Sequence, residues 1–184
     1  MSMAERMCAV AARQIDRRRA ERAVRELLAA CGLEAEPTMA QTPALVAEAL
    51  GELCSGLETT PPTLGLIPGP DGPVALDGIR FYSLCEHHLL PFFGVARVAY
   101  LPAGQVAGIG DIARLVDHLA RRPAIQERLT DTLAQRLKDE LQAKGVAVRL
   151  EATHLCIAMR GVRQTESRLI TECQMGDMGP WSGW

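Results

Sequence analysis

The densest group of side chains that could do chemistry is a Cys-Glu-His-His run at residues 85–88. Cys85 and His88 are three positions apart, a spacing that lets one short turn direct a thiolate and an imidazole at the same metal ion. A second pair, His154 and Cys156, lies in a later stretch with strand-like composition. Alternate residues of a strand share a face, so we expect these two side chains to point the same way.

Spacing alone leaves two kinds of metal site open. Structural zinc sites have four protein ligands, whereas catalytic sites have three and keep the fourth position free. Cys85, His88, His154 and Cys156 could together close a structural site, or fewer of them could hold a catalytic ion. An isolated Cys-x-x-His can arise by chance, but two Cys/His clusters containing three of the four histidines favour a metal site.

Composition limits the class of protein. The chain has 184 residues, 48% of them hydrophobic and 23% charged, which is typical of one soluble globular domain with at most a helical appendage. A formal net charge of -2 gives no reason to expect a nucleic-acid or membrane partner. No apolar run approaches the roughly 20 residues that span a bilayer, and no secretory signal begins the chain. We therefore expect a cytoplasmic protein whose cysteines are reduced.

The elements that must position these groups can be predicted from periodicity and composition. Apolar residues at helical spacing predict helices over about 4–31 and from Thr42 to about Gly56, within a helical region at 1–58. Residues 59–78 are rich in proline and glycine and are predicted to be a linker. A catalytic domain is predicted at 79–176, followed by an irregular tail at 177–184.

Within 79–176 the predicted order is strand, strand, helix, helix, strand. The segments are strands at 79–84 and 94–101, helices at about 111–121 and 123–144, and a strand at 146–162. This order predicts an α+β fold in which two helices pack on an antiparallel sheet.

Around the metal cluster the sequence resembles GTP cyclohydrolase I, and the similarity runs from about residue 23 to 176. The motifs that carry it are SLCEHHLLPFFG at 83–94, VAYLP at 98–102, RRP at 121–123, QERLT at 126–130, EATHLC at 151–156 and RGV at 160–162. The resemblance implies a tunnelling fold, in which small antiparallel sheets from several subunits form a barrel. It also implies a ring-built homo-oligomer, typically a decamer, with active sites between subunits.

The resemblance implies which cysteines and histidines bind metal and which histidines are catalytic. Cys85, His88 and Cys156 match zinc ligands, while His87 and His154 match catalytic residues that do not bind metal. In this family zinc supplies hydroxide that attacks C8 of the guanine ring. The residue at His87 then protonates N7, and the one at His154 serves further proton transfers, including at the ribose. The resemblance implies that the ring opens, that a second hydrolysis releases formate, and that the product is 7,8-dihydroneopterin triphosphate or a related compound.

The same resemblance implies the substrate contacts. Glu127 is expected to accept hydrogen bonds from guanine N1 and the 2-amino group, with Gln126 beside it. Arg114 and Arg160 match two phosphate-binding positions. A purine is therefore the expected small-molecule partner.

Three positions depart from the family pattern, all where the phosphates should bind. Leu45 stands where an arginine is expected, Gly110 where a serine is, and Asp111 where a lysine is. Asp111 is a good N-cap, yet it changes the local charge by two units at a helix end that favours anions. We expect ring opening to be kept, with a changed phosphate count or a changed later step. A non-catalytic purine- or pterin-binding relative is the alternative, although intact proton-transfer histidines favour an enzyme.

Overall fold

The computed structural model describes residues 13–179 and Gly183. The helices are α1 (Arg17–Ala30), α2 (Thr42–Leu53), α3 (Ile109–Ala120), α4 (Gln126–Leu141) and the single turn α5 (Leu155–Ala158). The strands are β1 (Leu66–Pro68), β2 (Val74–Cys85), β3 (Pro91–Leu101), β4 (Gln105–Ala107), β5 (Pro123–Ala124), β6 (Gly145–His154) and β7 (Leu169–Gly176).

The two N-terminal helices pack against each other. The α1 helix begins after Asp16, whose carboxylate accepts a hydrogen bond from the backbone N–H of Arg19 and so caps the first turn. Pro43 lies in the first turn of α2, where its missing N–H costs nothing. The part of the first predicted helix over residues 4–12 lies outside the described residues. None of the helices described is long and apolar enough to cross a bilayer.

The main sheet has five strands in the order β5-β2-β3-β6-β7. All neighbours are antiparallel except β5, which pairs in parallel with the end of β2. The first long strand begins at Val74, inside the segment predicted as a linker. Asp77 and Gly78 resemble a turn in the sequence, but they form an irregularity within β2, where Gly78 takes a φ of 80°.

One face of this sheet carries the core. The inward residues of β2, β3 and β6 alternate with outward ones, and α3 and α4 cover them. The largest fully buried side chains on this face and its helices include Phe81, Phe92, Tyr100, Leu150, Ile112, Leu115, Leu133 and Leu137. The predicted α+β architecture, with two helices packed on an antiparallel sheet, is confirmed.

The C-terminal elements differ from the prediction. The strand expected over 146–162 ends at His154, and the next residues form α5. His154 and Cys156 therefore do not share a strand face. The further strand β7 was not predicted, because its alternation of polar and apolar residues is that of a half-exposed edge.

The ends of the second long helix also differ. It was expected to start at Pro123, but Pro123–Ala124 form β5 and the helix starts at Gln126. It was expected to run to Lys144, but it ends at Leu141, and the next residue, Gln142, takes the left-handed conformation with a φ of 49°.

Candidate metal centre and active site

The Cys-Glu-His-His run forms the tight connection between β2 and β3. The backbone N–H of Cys85 donates to the carbonyl of Leu90 at 2.9 Å, and the N–H of Leu89 donates to the carbonyl of Cys85 at 2.8 Å. Leu89 takes a φ of 53°, which turns the chain back into β3. The loop therefore holds Cys85 at the end of a buried strand while His87 and His88 project at the surface.

Cys85, His88 and Cys156 converge. Their potential ligand atoms all lie within 4.8 Å of one another, and the Cys85 Sγ to His88 Nδ1 distance is 3.7 Å. Two ligands of one tetrahedral zinc ion lie about 3.5–3.8 Å apart, given Zn–S and Zn–N lengths of about 2.3 and 2.0 Å. Two thiolates and an imidazole form a soft donor set that suits zinc. The three residues fit the metal that the resemblance implies.

The environment of Cys156 supports this interpretation. The start of α5, directly after β6, places its sulfur beside Cys85. Burial raises the pKa of the Cys156 thiol, and contact with Cys85 raises it further, while the Arg160 guanidinium acts in the opposite direction. The Cys156 thiol, which resists ionisation on its own, is stabilised as a thiolate by a bound cation.

His154 does not join the three-residue group. In the part of the chain that the structure describes, no fourth Cys, His, Asp or Glu side chain meets the other three at ligand distance. The Nε2 atom of His154 lies 2.9 Å from Gln126 Oε1, and its ring stacks on Phe92 with centroids 4.4 Å apart and planes at 4°. Among the described residues the donor group therefore has three protein side chains, which is the number typical of catalytic zinc sites, whereas structural sites have four.

Two opposing influences act on His154. Burial lowers its pKa, because the charged imidazolium loses solvation, and the nearby Glu127 carboxylate raises it. Glu127 lies in the first turn of α4. The structure thus brings His154 and Glu127 into one electrostatic environment. His87 lies beside the cluster, with Nδ1 at 3.9 Å from Cys85 Sγ.

The structure places the side chain of Gln126 in the protein interior. Its side chain is fully buried, and its amide bonds to Leu150, Leu169, Thr171 and His154. A buried amide with this many partners cannot turn to a ligand without losing them.

Arg128 was not identified from the sequence as a residue that supports the site. Its guanidinium pairs with Glu86 at 2.9 Å and ties α4 to the loop that carries Cys85 and His88. The Glu86 backbone N–H donates to the carbonyl of Ala124 at 3.2 Å, which adds a second tie. Its place in the QERLT motif, next to Glu127, is the sequence signal that could have identified it.

Arg160 and Arg114 occupy different regions. Arg160 is close enough to Cys156 to influence its thiol. Arg114 lies towards the start of α3 and forms an ion pair with Asp111. About 9 Å of helix separates Arg114 from the end of α3 that leads to β5 and the metal group. Within this chain, Arg114 is therefore not brought to the cysteines.

Asp111 is not the N-cap that the sequence suggested. That position belongs to Gly108, and Asp111 lies in the first turn of α3. Its carboxylate accepts a hydrogen bond from the backbone N–H of Gly65 at 3.0 Å and pairs with Arg114. The backbone hydrogen bond and Arg114 lower the pKa of Asp111, so it is ionised at neutral pH.

An α+β chain with a Cys-His-Cys donor group that could hold a metal ion, and with two further histidines nearby, has the features of a metal-dependent enzyme. The family model of GTP cyclohydrolase I matches residues 20–180, and this chain belongs to that family. The tunnelling fold implied by the resemblance is thereby confirmed.

Relatives support the assignment over most of the chain. A GTP cyclohydrolase 1 from Corynebacterium glutamicum (strain R) is 44% identical over 172 residues, covering 90% of this chain and 88% of the relative. One from Mycolicibacterium paratuberculosis is 46% identical over 170 residues, covering 89% of this chain and 83% of the relative.

Among solved structures, a crystal structure of the archaeosine synthase QueF-Like in the apo form is similar to this chain with 19% sequence identity and a TM-score of 0.48. The similarity covers 60% of this chain and 99% of that one.

Proposed function

We propose that this protein is a zinc-dependent cyclohydrolase that opens the imidazole ring of GTP at C8 and releases formate, with 7,8-dihydroneopterin triphosphate as product. The observation that carries the proposal is the convergence of Cys85, His88 and Cys156 with His87 and His154 beside them, in a chain of the GTP cyclohydrolase I family. Formate release from GTP by zinc-loaded protein, against metal-stripped protein as control, tests it.

Cys85, His88 and Cys156 would hold the zinc ion. When bound, zinc supplies a hydroxide nucleophile at neutral pH. The remaining residues provide binding and proton transfer. His87, exposed beside Cys85, donates a proton to N7 of the guanine ring as charge develops there. His154, kept neutral by burial, is suited to take up and return protons later, at the ribose.

Glu127 is suited to recognise the guanine. A carboxylate accepts two hydrogen bonds side by side, which matches the N1–H and 2-amino donors of guanine. Its influence on His154 places it near the proton-transfer group. Arg160, beside Cys156, is suited to hold a phosphate near the metal group. We assign Gln126 no direct substrate contact.

A second candidate substrate is a guanine compound with fewer phosphates. The observation that favours it is the Asp111–Arg114 ion pair at the start of α3. Helix N-termini attract anions, but an ionised Asp111 already occupies this one and neutralises the nearby guanidinium. Comparison of formate release from GTP, GMP and guanosine distinguishes the two candidates.

Replacing Asp111 with lysine is expected to shift selectivity towards GTP. The change removes a negative charge from a helix N-terminus, adds a positive one and releases Arg114. Such effects are worth about 1–2 kcal/mol together, so kcat/KM for GTP relative to guanosine should rise about tenfold. Asp139→Lys makes the same charge change on the exposed surface of α4 and should leave the ratio unaltered. An unchanged ratio in Asp111→Lys would show that no phosphate binds there.

We further propose that the chain assembles into a ring-built homo-oligomer, a decamer by resemblance to its family. The free edge of β7 and the exposed apolar side chains Leu27, Leu45, Tyr82 and Ile170 support association. Light scattering should give about ten times the monomer mass, and a monomer at micromolar concentration would contradict the proposal.

A site built from two reduced thiols suits a reducing compartment, and we place the protein in the cytoplasm.

A further inference from the structure

Gln126 is a polar side chain at the start of α4 with no exposed surface. Its Nε2 lies 3.2 Å from the carbonyl oxygen of Leu150, 3.0 Å from that of Leu169 and 3.0 Å from Thr171 Oγ1. Its Oε1 lies 2.9 Å from Nε2 of His154. Both ends of the amide therefore have partners, which is the condition for a buried polar group to hold one orientation.

The orientation of this amide follows from its partners. Carbonyl oxygens can only accept, so the amide nitrogen must be the atom that faces Leu150 and Leu169. The hydroxyl of Thr171 also requires the amide nitrogen of Gln126 to face it. Thr130 donates its single hydrogen to the carbonyl oxygen of Gln126 at 2.8 Å, so Thr171 must be the donor in the 2.6 Å contact between the two threonines. Thr171 then has no hydrogen left and can only accept from Gln126.

The amide orientation decides the protonation of His154. Oε1 of Gln126 can only accept, so Nε2 of His154 must carry the hydrogen. A neutral imidazole has one N–H, so Nδ1 keeps its lone pair. The parallel Phe92 ring fixes the plane of the imidazole. Among the described residues, none forms a hydrogen bond with Nδ1, which leaves that nitrogen for a ligand.

We propose that Gln126 is a positioning residue that holds neutral His154 as the Nε2–H tautomer, so that Nδ1 is the nitrogen that exchanges protons with the substrate. The catalytic part of this inference rests on the proposed function, in which His154 transfers protons. The tautomer itself is a property of the resting protein. Gln126 acts through His154 and does not touch the reacting atoms.

Nitrogen NMR of protein labelled with ¹⁵N-histidine tests the tautomer directly. The chain has only four histidines, and the signal lost in His154→Gln identifies His154. Measured well above the ordinary histidine pKa of about 6.5, zinc-loaded wild-type protein should show a protonated Nε2 and an unprotonated Nδ1. A protonated Nδ1 at His154 would overturn the proposal, and this result needs no variant to fold.

Two variants separate positioning from packing. Gln126→Met removes the acceptor and should give a mixture of both tautomers, whereas Gln126→Glu keeps an oxygen facing Nε2 and should retain the Nε2–H form. Thr171→Val removes one partner of the Gln126 amide but leaves the carbonyl oxygens of Leu150 and Leu169 to hold its orientation, so the tautomer of His154 should not change. An unmixed Nε2–H form in Gln126→Met would show that Gln126 does not set the tautomer.

Kinetics give the functional readout. With the best guanine substrate, Gln126→Met should lower kcat about tenfold or more with KM changed less than about threefold, because binding is kept and proton transfer is impaired. Gln126→Glu should recover part of the loss in kcat. An unaltered kcat in folded Gln126→Met contradicts the catalytic part. If wild-type protein releases no formate from any guanine compound, the proposed function fails while the NMR result still decides the tautomer.

Discussion

Replacing Cys156 with serine is expected to abolish tight zinc binding and nearly all formate release. A serine hydroxyl stays protonated at neutral pH and is a poor ligand, so the group of Cys85, His88 and Cys156 loses one of its two thiolates. Metal assistance is worth several kcal/mol, and each 1.4 kcal/mol or so is tenfold in rate, so we expect a loss of about a thousandfold or more. Zinc content by mass spectrometry and formate release measure the two effects.

Cys31→Ser is the matched control. Cys31 is exposed and caps the end of α1, well separated in sequence from both halves of the metal group. Its replacement should leave zinc content and rate unchanged. One zinc ion per chain and an ordinary rate in Cys156→Ser would remove this cysteine from the metal site.

The second large effect is expected from His154→Gln, which should lower turnover while zinc content stays the same. Loss of a proton-transfer group costs about 10²–10⁴ in rate. Retention of zinc distinguishes a catalytic histidine from a fourth ligand, the alternative that spacing alone left open. Turnover and zinc content are measured on the same preparation.

His118→Gln is the control for that substitution. His118 is a buried histidine of α3 whose ring faces Thr59 and Arg122 and takes no part in the metal group. The turnover rate per folded protein should stay within about threefold of wild type, because the substitution changes packing in α3 and removes no proton-transfer group. Loss of zinc in His154→Gln, or an equal loss of turnover in both variants, contradicts the role assigned to His154.

The fold was largely predictable because its main elements carry strong local signals. The apolar spacing that predicts α3 and α4 is the same spacing that packs Leu115 and Leu133 onto the sheet. The end of the sheet was not predictable in this way. The apolar run from 146 to 162 continues from β6 into α5 without a break in composition, and only tertiary packing ends the strand at His154.

The site was predictable where its chemistry is local. Cys85 and His88 lie on one turn, so their spacing indicates a shared ion. The environment of Gln126 could not be inferred, because its amide bonds to Thr171, 45 residues away, on a strand that the sequence did not reveal. Next to Glu127 in a helix-starting motif, Gln126 has the sequence context of a substrate ligand, whereas the structure buries its side chain completely.

Gly94 shows a constraint that only the structure explains. A Cβ at this position would lie 1.9 Å from the carbonyl oxygen of Glu151 and 2.7 Å from the Cα of Ala152. The close approach of β3 and β6 at this point holds the register that pairs Phe92 with His154. A glycine in the middle of a strand therefore permits the strand pairing in which the rings of Phe92 and His154 stack.

Isotopic labelling tests most directly whether the protein opens a guanine ring at C8 by hydrolysis. Zinc-loaded protein is incubated with GTP, GMP and guanosine carrying ¹³C at C8, and the solution is followed by ¹³C NMR. The predicted result is labelled formate from at least one of the three, dependent on zinc and lost in Cys156→Ser. Labelled carbon that remains in the purine in all three incubations contradicts the claim.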